Sequence, residues 1–128
     1  MLRTIAAAIV GVHGLIHVIG FVVPWRLAEI SGFAYRTTAL DGALALGDGG
    51  VRAIGLVWLG LALGFGVAAL AIWRSRPWAV PLIGGLAAVS TVVCVLGLPD
   101  AAAGIAVNLG ILAAVGAFAA RTRGSVAR

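Results

Sequence analysis

Charged residues are scarce in this sequence. They make up 10% of its 128 residues, whereas hydrophobic residues make up 62%. A soluble domain averages about 25% charged residues. Four apolar runs of about 20 residues each match the ~30 Å hydrocarbon core of a bilayer at a rise of ~1.5 Å per residue. The composition therefore predicts an integral membrane protein and excludes a water-soluble one.

The sequence contains one cysteine and no lysine. The single cysteine, Cys94, excludes an intramolecular disulfide and a paired-cysteine redox motif, and we interpret it as a small core residue. All nine basic residues are arginines, and the net charge is +5. These arginines lie at the ends of the apolar runs, where they set topology and contact lipid headgroups. We therefore expect the lipid bilayer as a partner and no nucleic acid.

The sequence also lacks the motifs of an autonomous enzyme. It contains no carboxylate pair, no phosphate-binding loop and no activated nucleophile. No recognisable motif identifies a cofactor. We therefore do not expect this chain to catalyse a reaction by itself.

The four apolar runs are separated by residues that end helices. Pro24 follows the first run, residues 74–77 link the second to the third, and Pro99 with Asp100 precedes the fourth. The first run exceeds the ~7–15 apolar residues of a signal peptide, and no small-x-small cleavage site follows it. We predict an all-α, integral membrane four-helix bundle. It forms one transmembrane domain over residues 1–128, with helices at about residues 4–23, 51–73, 78–98 and 101–120.

The connection over residues 24–50 has a different composition. It holds three of the four acidic residues and several glycines, which disfavour a long helix. Asp41-Gly42 is a turn signal between short apolar stretches and predicts a small hairpin over the bundle.

The arginines predict the orientation of the chain. One side of the membrane would collect six of them: Arg3, Arg74, Arg76, Arg121, Arg123 and Arg128. The other side would collect three, together with all four acidic residues. Cytoplasmic ends of membrane proteins are rich in arginine and lysine. We therefore expect a multi-pass inner-membrane protein with cytoplasmic N- and C-termini and an outward connection.

Polar residues inside the apolar runs point to a site. His13 falls near the middle of the first helix, and His17, one turn later, faces the same way about 6 Å outward. Asn108, Ser90 and Cys94 fall in the outer halves of their helices. Ionisable residues within a membrane are costly and usually face the bundle interior. We expect a pocket or polar network that opens outward beneath the connection.

The candidate ligand-binding residues come from three helices and one helix boundary. They are His13, His17, Arg52, Trp58, Asp100 and Asn108. Arg52 would contact an anion or headgroup, bridge to Asp48 or Asp100, or extend to the interface.

Two alternatives concern the histidines. His13 and His17 could chelate a transition metal if Asn108, Cys94, Asp100 or acids of the connection supplied further ligands. They could instead be neutral and hydrogen-bonded to Asn108, Ser90 or a backbone carbonyl, in a purely structural assembly subunit. A bis-histidine haem is excluded within one chain, because both histidines share one helix face. Gly60-x-x-x-Gly64 predicts a tight helix contact within the bundle or between subunits.

Three short segments resemble a family. The segments at residues 13–21, 51–58 and 100–109 are similar to small bacterial four-helix membrane proteins of the DoxX-like kind. That resemblance implies a link to membrane redox complexes that handle quinones or sulfur compounds. It favours a protein that binds a quinone or a lipid, or an accessory subunit in a homo-oligomer or larger membrane complex. The chain departs from redox members in having no cysteine pair.

Overall fold

Long helices dominate the computed structural model, which describes residues 1–126 and their side chains as far as residue 122. The helices are α1 (Leu2–Ile16), α2 (Ile19–Val22), α3 (Gly47–Trp73), α4 (Ala79–Leu96) and α5 (Ala102–Val126). Two short strands, β1 (Thr38–Ala39) and β2 (Leu44–Ala45), lie in the connection. Four segments are long and apolar enough to cross a membrane, with α1 and α2 together forming the first. The predicted all-α bundle of four long apolar helices is confirmed.

The helix bounds differ from the predicted ones at several ends. α3 begins at Gly47 rather than at residue 51, so three glycines near its start are helical. α4 ends at Leu96 rather than at residue 98, and α5 continues to Val126 rather than ending at residue 120. The last two residues of the predicted domain lie outside the described part of the chain.

A break at His17 divides the first span, which the sequence predicts as one helix over residues 4–23. The Nδ1 atom of His17 lies 2.8 Å from the carbonyl oxygen of His13, the usual acceptor of the His17 amide. That amide bonds instead to the Gly14 carbonyl at 3.1 Å, one residue nearer. A side chain that enters the backbone ladder in this way tightens and bends a helix.

α3 occupies the centre of the packing. α1 and α2 pack on α3, α4 packs on α3, and α5 packs on α4. Gly14 lets α1 approach closely, because a Cβ there would lie 2.7 Å from the Cβ of Phe65. A Cβ added at Gly64 would lie 2.6 Å from the Cδ2 of Leu86 in α4, whereas one added at Gly60 would meet no described atom of another element within 4 Å. Of the two predicted contact glycines, Gly64 therefore makes a tight contact, and it does so inside the bundle.

The connection folds over one end of the bundle. β1 and β2 pair antiparallel, with Thr38 opposite Ala45, which confirms the predicted hairpin. Its turn places Leu40 and Asp41 at positive φ, and their amides donate to the carbonyls of Leu96 and Leu98 at 3.0 and 3.1 Å. These bonds satisfy carbonyl groups at and just after the end of α4 and fix the hairpin to the α4–α5 junction.

Candidate ligand site

Four buried polar side chains meet in the middle of the bundle. His13 of α1, His17 just after it, Ser90 of α4 and Asn108 of α5 are 6%, 2%, 0% and 0% exposed. We call this set the buried polar network. The network joins α1 to α4 and α5. Within the described residues, neither of these two helices packs extensively on α1.

The network is closed by short hydrogen bonds. His13 Nε2 lies 2.8 Å from Asn108 Oδ1, and Asn108 Nδ2 donates to Ser90 Oγ at 2.7 Å. Ser90 Oγ lies 2.7 Å from His17 Nε2, whose other ring nitrogen bonds the His13 carbonyl. Among the described residues, no buried side-chain nitrogen or oxygen lacks a partner.

When both imidazole rings are neutral, the two carbonyl oxygens of the network determine the direction of each of its hydrogen bonds. Carbonyl oxygens only accept, so His17 carries its proton on Nδ1 and His13 carries its proton on Nε2. His17 Nε2 then accepts from the Ser90 hydroxyl, and that hydroxyl oxygen accepts from Asn108. The two histidines are therefore opposite tautomers in one consistent chain of donors.

Aromatic rings surround the network. The His17 ring centroid lies 5.0 Å from the Trp58 ring and 5.1 Å from the Phe65 ring. The His13 ring is 4.9 Å from Phe65 and 4.7 Å from His17, both in edge-on geometry. These contacts hold the imidazoles in the orientation that their hydrogen bonds require.

The described residues do not assemble a metal site. No group of three or more His, Cys, Asp or Glu side chains within this part of the chain is placed to hold an ion. His17 also engages both of its ring nitrogens with protein atoms. The arrangement matches the alternative in which neutral histidines bond Asn108, Ser90 and a backbone carbonyl.

A cavity of about 270 Å³ lies beside the network, toward the connection. It is bounded by α2, the first half of α3, the connection, and the α4–α5 junction. Most of its walls are apolar: Ile16, Ile19, Val23, Phe33, Leu46, Val51, Ile54, Leu96 and Leu98. The polar groups among its lining residues include Tyr35, Arg36, Asp41 and Asp100.

Trp58 and Cys94 separate the cavity from the network. Both residues line the cavity, and Trp58 also touches His17. The buried Cys94 Sγ lies 3.8 Å from Asn108 Nδ2 and 3.9 Å from Ser90 Oγ. Gly104 makes room for this thiol, because a Cβ there would lie 2.8 Å from the sulfur.

One side of the cavity is open to the surroundings of the bundle. Ile16 lines it and is 56% exposed, and Ala103 of α5 lines it and is also exposed. α2 and α5 both contribute to the cavity lining, but they are not an extensively packed pair within the described residues. The opening lies on helices that are apolar enough to span a membrane.

The six predicted site residues fall into three places. Trp58 and Asp100 line the cavity, whereas His13, His17 and Asn108 belong to the network. Arg52 lies in neither, and its guanidinium carbon is 5.9 Å from the ring centroid of Trp25.

The ion pairs differ from the predicted ones. Among the described side chains, Arg26 pairs with Asp48 at 3.4 Å and Arg36 with Asp100 at 3.7 Å. Arg52 forms no ion pair with Asp48 or Asp100 within 4 Å in this part of the chain.

Sequence reasoning did not single out several cavity residues. Tyr35 and Arg36 come from the connection, where no periodicity indicates which side chains turn inward. Gly20 has a recognisable structural role, since a Cβ there would overlap the Trp58 ring. A glycine one turn after a buried histidine indicates close packing at this position, but the sequence does not show that Trp58 is the residue packed there.

Comparison with known proteins finds no family model, no curated protein and no solved structure that matches this chain.

Proposed function

We propose that this chain is a multi-pass inner-membrane protein that binds a small lipophilic ligand, a quinone or a lipid, in the cavity beneath the connection. Both termini would be cytoplasmic, which the segregation of acidic residues to the connection end supports. The observation that carries the proposal is the cavity itself, with its apolar walls. Its volume of about 270 Å³ is close to the lower end of the ~300–1,000 Å³ typical of small-molecule sites.

The open side of the cavity supports entry from the bilayer. Ile16 at the end of α1 and Ala103 of α5 line the cavity and are exposed where lipid would lie. A ligand dissolved in the membrane could pass between these helices without crossing the hairpin. The same geometry disfavours a strongly hydrated ligand, because the walls offer few groups to replace its water.

The polar groups of the cavity indicate what such a ligand carries. Trp58 is partly buried and lines the cavity, and its indole N–H forms no hydrogen bond with the described residues. It can donate to a carbonyl or ester oxygen, a group common to quinones and lipids. The half-exposed Arg36–Asp100 pair and Tyr35 provide further polar contacts near the connection.

The buried polar network has a structural role in this proposal. Apart from His13 Nδ1, which has no hydrogen-bond partner among the described residues, the ring nitrogens, amide and hydroxyl of its four side chains bond one another and the backbone, so most of the network's hydrogen-bonding capacity is used within the protein. The network would hold α1 against α4 and α5 and, through His17, hold Trp58 at the cavity. These internal bonds favour a second candidate function, a purely structural subunit of a larger membrane assembly.

Filling the cavity tests the proposal. Ala103→Phe places a ring where an exposed alanine now lines the cavity, and Ala113→Phe adds the same ring to an exposed position of α5 away from the cavity. Each variant and the wild type would be purified in mild detergent, and bound molecules would be identified by mass spectrometry of lipid extracts. We expect a small lipophilic molecule in the wild type and in Ala113→Phe, and its loss from Ala103→Phe. Identical extracts from all three proteins would contradict the proposal and favour the structural subunit.

A further inference from the structure

The end of the bundle opposite the connection carries positive charge without a counter-charge. Arg74 and Arg76 lie in the link between α3 and α4, and Arg3 of α1 donates a hydrogen bond to Ser75 of that link. We call Arg3, Arg74 and Arg76 the arginine cluster. All four acidic residues of the chain lie in the connection, at the start of α3, or just before α5.

Among the described side chains, two of the three arginines at the connection end have carboxylate partners, and Arg52 is the exception. At the connection end, Arg26 pairs with Asp48 and lies 4.1 Å above the ring centroid of Tyr35, and Arg36 pairs with Asp100. Within the described residues, none of the three cluster arginines forms an ion pair. The three arginines thus share one end of the bundle without a carboxylate partner in this part of the chain, and like charges there repel one another unless an anion lies between them.

The link holds the cluster in a compact turn. The Ser75 amide donates to the Ile72 carbonyl at 2.9 Å, and the Arg76 amide donates to the Ala71 carbonyl at 2.8 Å. Ser75 has a φ of 55°, which reverses the chain at once after α3. Arg74 and Arg76 thus stay beside the N-terminal turn of α1, which Arg3 attaches to the same link.

Two tryptophans place the cluster at the depth of lipid headgroups. Trp73 ends α3 and Trp78 directly precedes α4, and they are 54% and 47% exposed. Tryptophan is enriched at the membrane–water interface, and both flanking helices are candidate spans. A phosphate in this position belongs to a lipid rather than to a solute.

We propose that the arginine cluster binds the phosphate group of an anionic phospholipid. Guanidinium groups bind phosphate oxygens with paired, charge-assisted hydrogen bonds. A lipid with net negative charge is preferred over a zwitterionic one, because a choline or ethanolamine group would bring another positive charge to three unpaired arginines. The site is independent of the cavity, which lies at the other end of the bundle.

Native mass spectrometry in a neutral detergent tests this site. The protein would be titrated with phosphatidylglycerol and, in parallel, with phosphatidylcholine. The test variant is Arg74→Gln/Arg76→Gln, and the matched control is Arg26→Gln/Arg52→Gln, which removes the same charge from the connection end. We expect phosphatidylglycerol to bind about thirtyfold more weakly to the test variant and within about twofold of wild type to the control.

Three results would overturn the proposal. These are equal binding of the two lipids by wild type, equal weakening in both double variants, or displacement of phosphatidylglycerol by millimolar inorganic phosphate. The last result would identify a site for a soluble anion. If circular dichroism shows that the test variant is not folded, Arg3→Gln replaces it. This change on the exposed first turn of α1 should weaken phosphatidylglycerol binding about fivefold, and an unchanged affinity would reject the site.

Discussion

The buried polar network and the cavity are neighbours that are built in opposite ways. The network consists of polar side chains that are hydrogen-bonded to one another and to a backbone carbonyl, whereas the cavity consists of mostly apolar walls around empty volume. Trp58 lies between the two regions, since its ring contacts His17 of the network and also lines the cavity. A polar residue inside a membrane span therefore does not by itself mark the place where a ligand binds. In this protein the hydrogen-bonded network would hold the helices together, and the cavity would hold a ligand.

The largest effect on stability is expected from breaking the network at Asn108. Asn108→Leu preserves the approximate size of the side chain but leaves His13 Nε2 and Ser90 Oγ each without one partner. We expect a loss of about 2–3 kcal/mol in the free energy of unfolding, because buried polar groups are left unpaired. Unfolding in mixed micelles with increasing SDS, followed by circular dichroism, measures it. Leu109→Ala on the exposed face of α5 is the control and should change stability by less than about 0.5 kcal/mol.

The next effect concerns the close approach of α1 and α3, which positions both histidines. At Gly14 an added Cβ would meet the Phe65 Cβ at 2.7 Å and the Ala62 carbonyl at 3.2 Å. We expect Gly14→Ala to lower the free energy of unfolding by about 1–3 kcal/mol. The atoms that the new methyl group meets lie on or next to the α3 backbone and cannot move aside as the end of a flexible side chain can. At Gly11 the nearest atom, the Ala69 Cβ, would be 3.7 Å away, an ordinary contact. Equal destabilisation by Gly14→Ala and Gly11→Ala in the same SDS titration would contradict this packing.

Trp58→Phe separates the two roles of Trp58, its packing on His17 and its proposed hydrogen bond to the ligand. The phenyl ring keeps the aromatic packing on His17, but the indole N–H is lost. We expect the stability to change by less than about 1 kcal/mol and ligand retention to fall about tenfold, the effect of one hydrogen bond. Quantitative mass spectrometry of the bound molecule measures the retention. Trp25→Phe is the control, since its N–H donates to the Arg52 carbonyl rather than to a cavity ligand. Unchanged retention in Trp58→Phe would remove the indole from the site.

The smallest effect on stability is expected at the Arg36–Asp100 pair. Its atoms are 3.7 Å apart, and both side chains are partly exposed. Solvent screens such a pair, so Arg36→Gln should cost less than about 0.5 kcal/mol. A loss comparable to that of Asn108→Leu in the SDS titration would show that the connection, and not the network, holds the bundle together.

Helical geometry explains which parts could be predicted from sequence. The i, i+4 spacing of His13 and His17 put both rings on one face, and the depths of Ser90 and Asn108 matched them from other helices. The hydrogen-bonded alternative therefore followed from position alone. The side chain of His17 breaks the first span, but only the structure reveals its bond to a backbone carbonyl.

The cavity could not be predicted in the same way. Its lining depends on the connection, whose fold is set by contacts with distant residues, such as those of Leu40 and Asp41 with the α4–α5 junction. Arg36 and Tyr35 have no helical period that would place them. A pocket beneath the connection could therefore be predicted, with two of its lining residues, Trp58 and Asp100, but the other residues of its walls could not.

The most direct measurement compares the two regions in one experiment. Wild type, Asn108→Leu and Ala103→Phe would be purified in mild detergent, and the bound molecule per folded protein would be quantified beside the SDS unfolding midpoint. We predict that Asn108→Leu unfolds at lower SDS while its folded fraction keeps the ligand, and that Ala103→Phe unfolds like wild type without the ligand. A folded Asn108→Leu protein that has lost the ligand, beside an Ala103→Phe protein that keeps it, would contradict the assignment and place the ligand in the network.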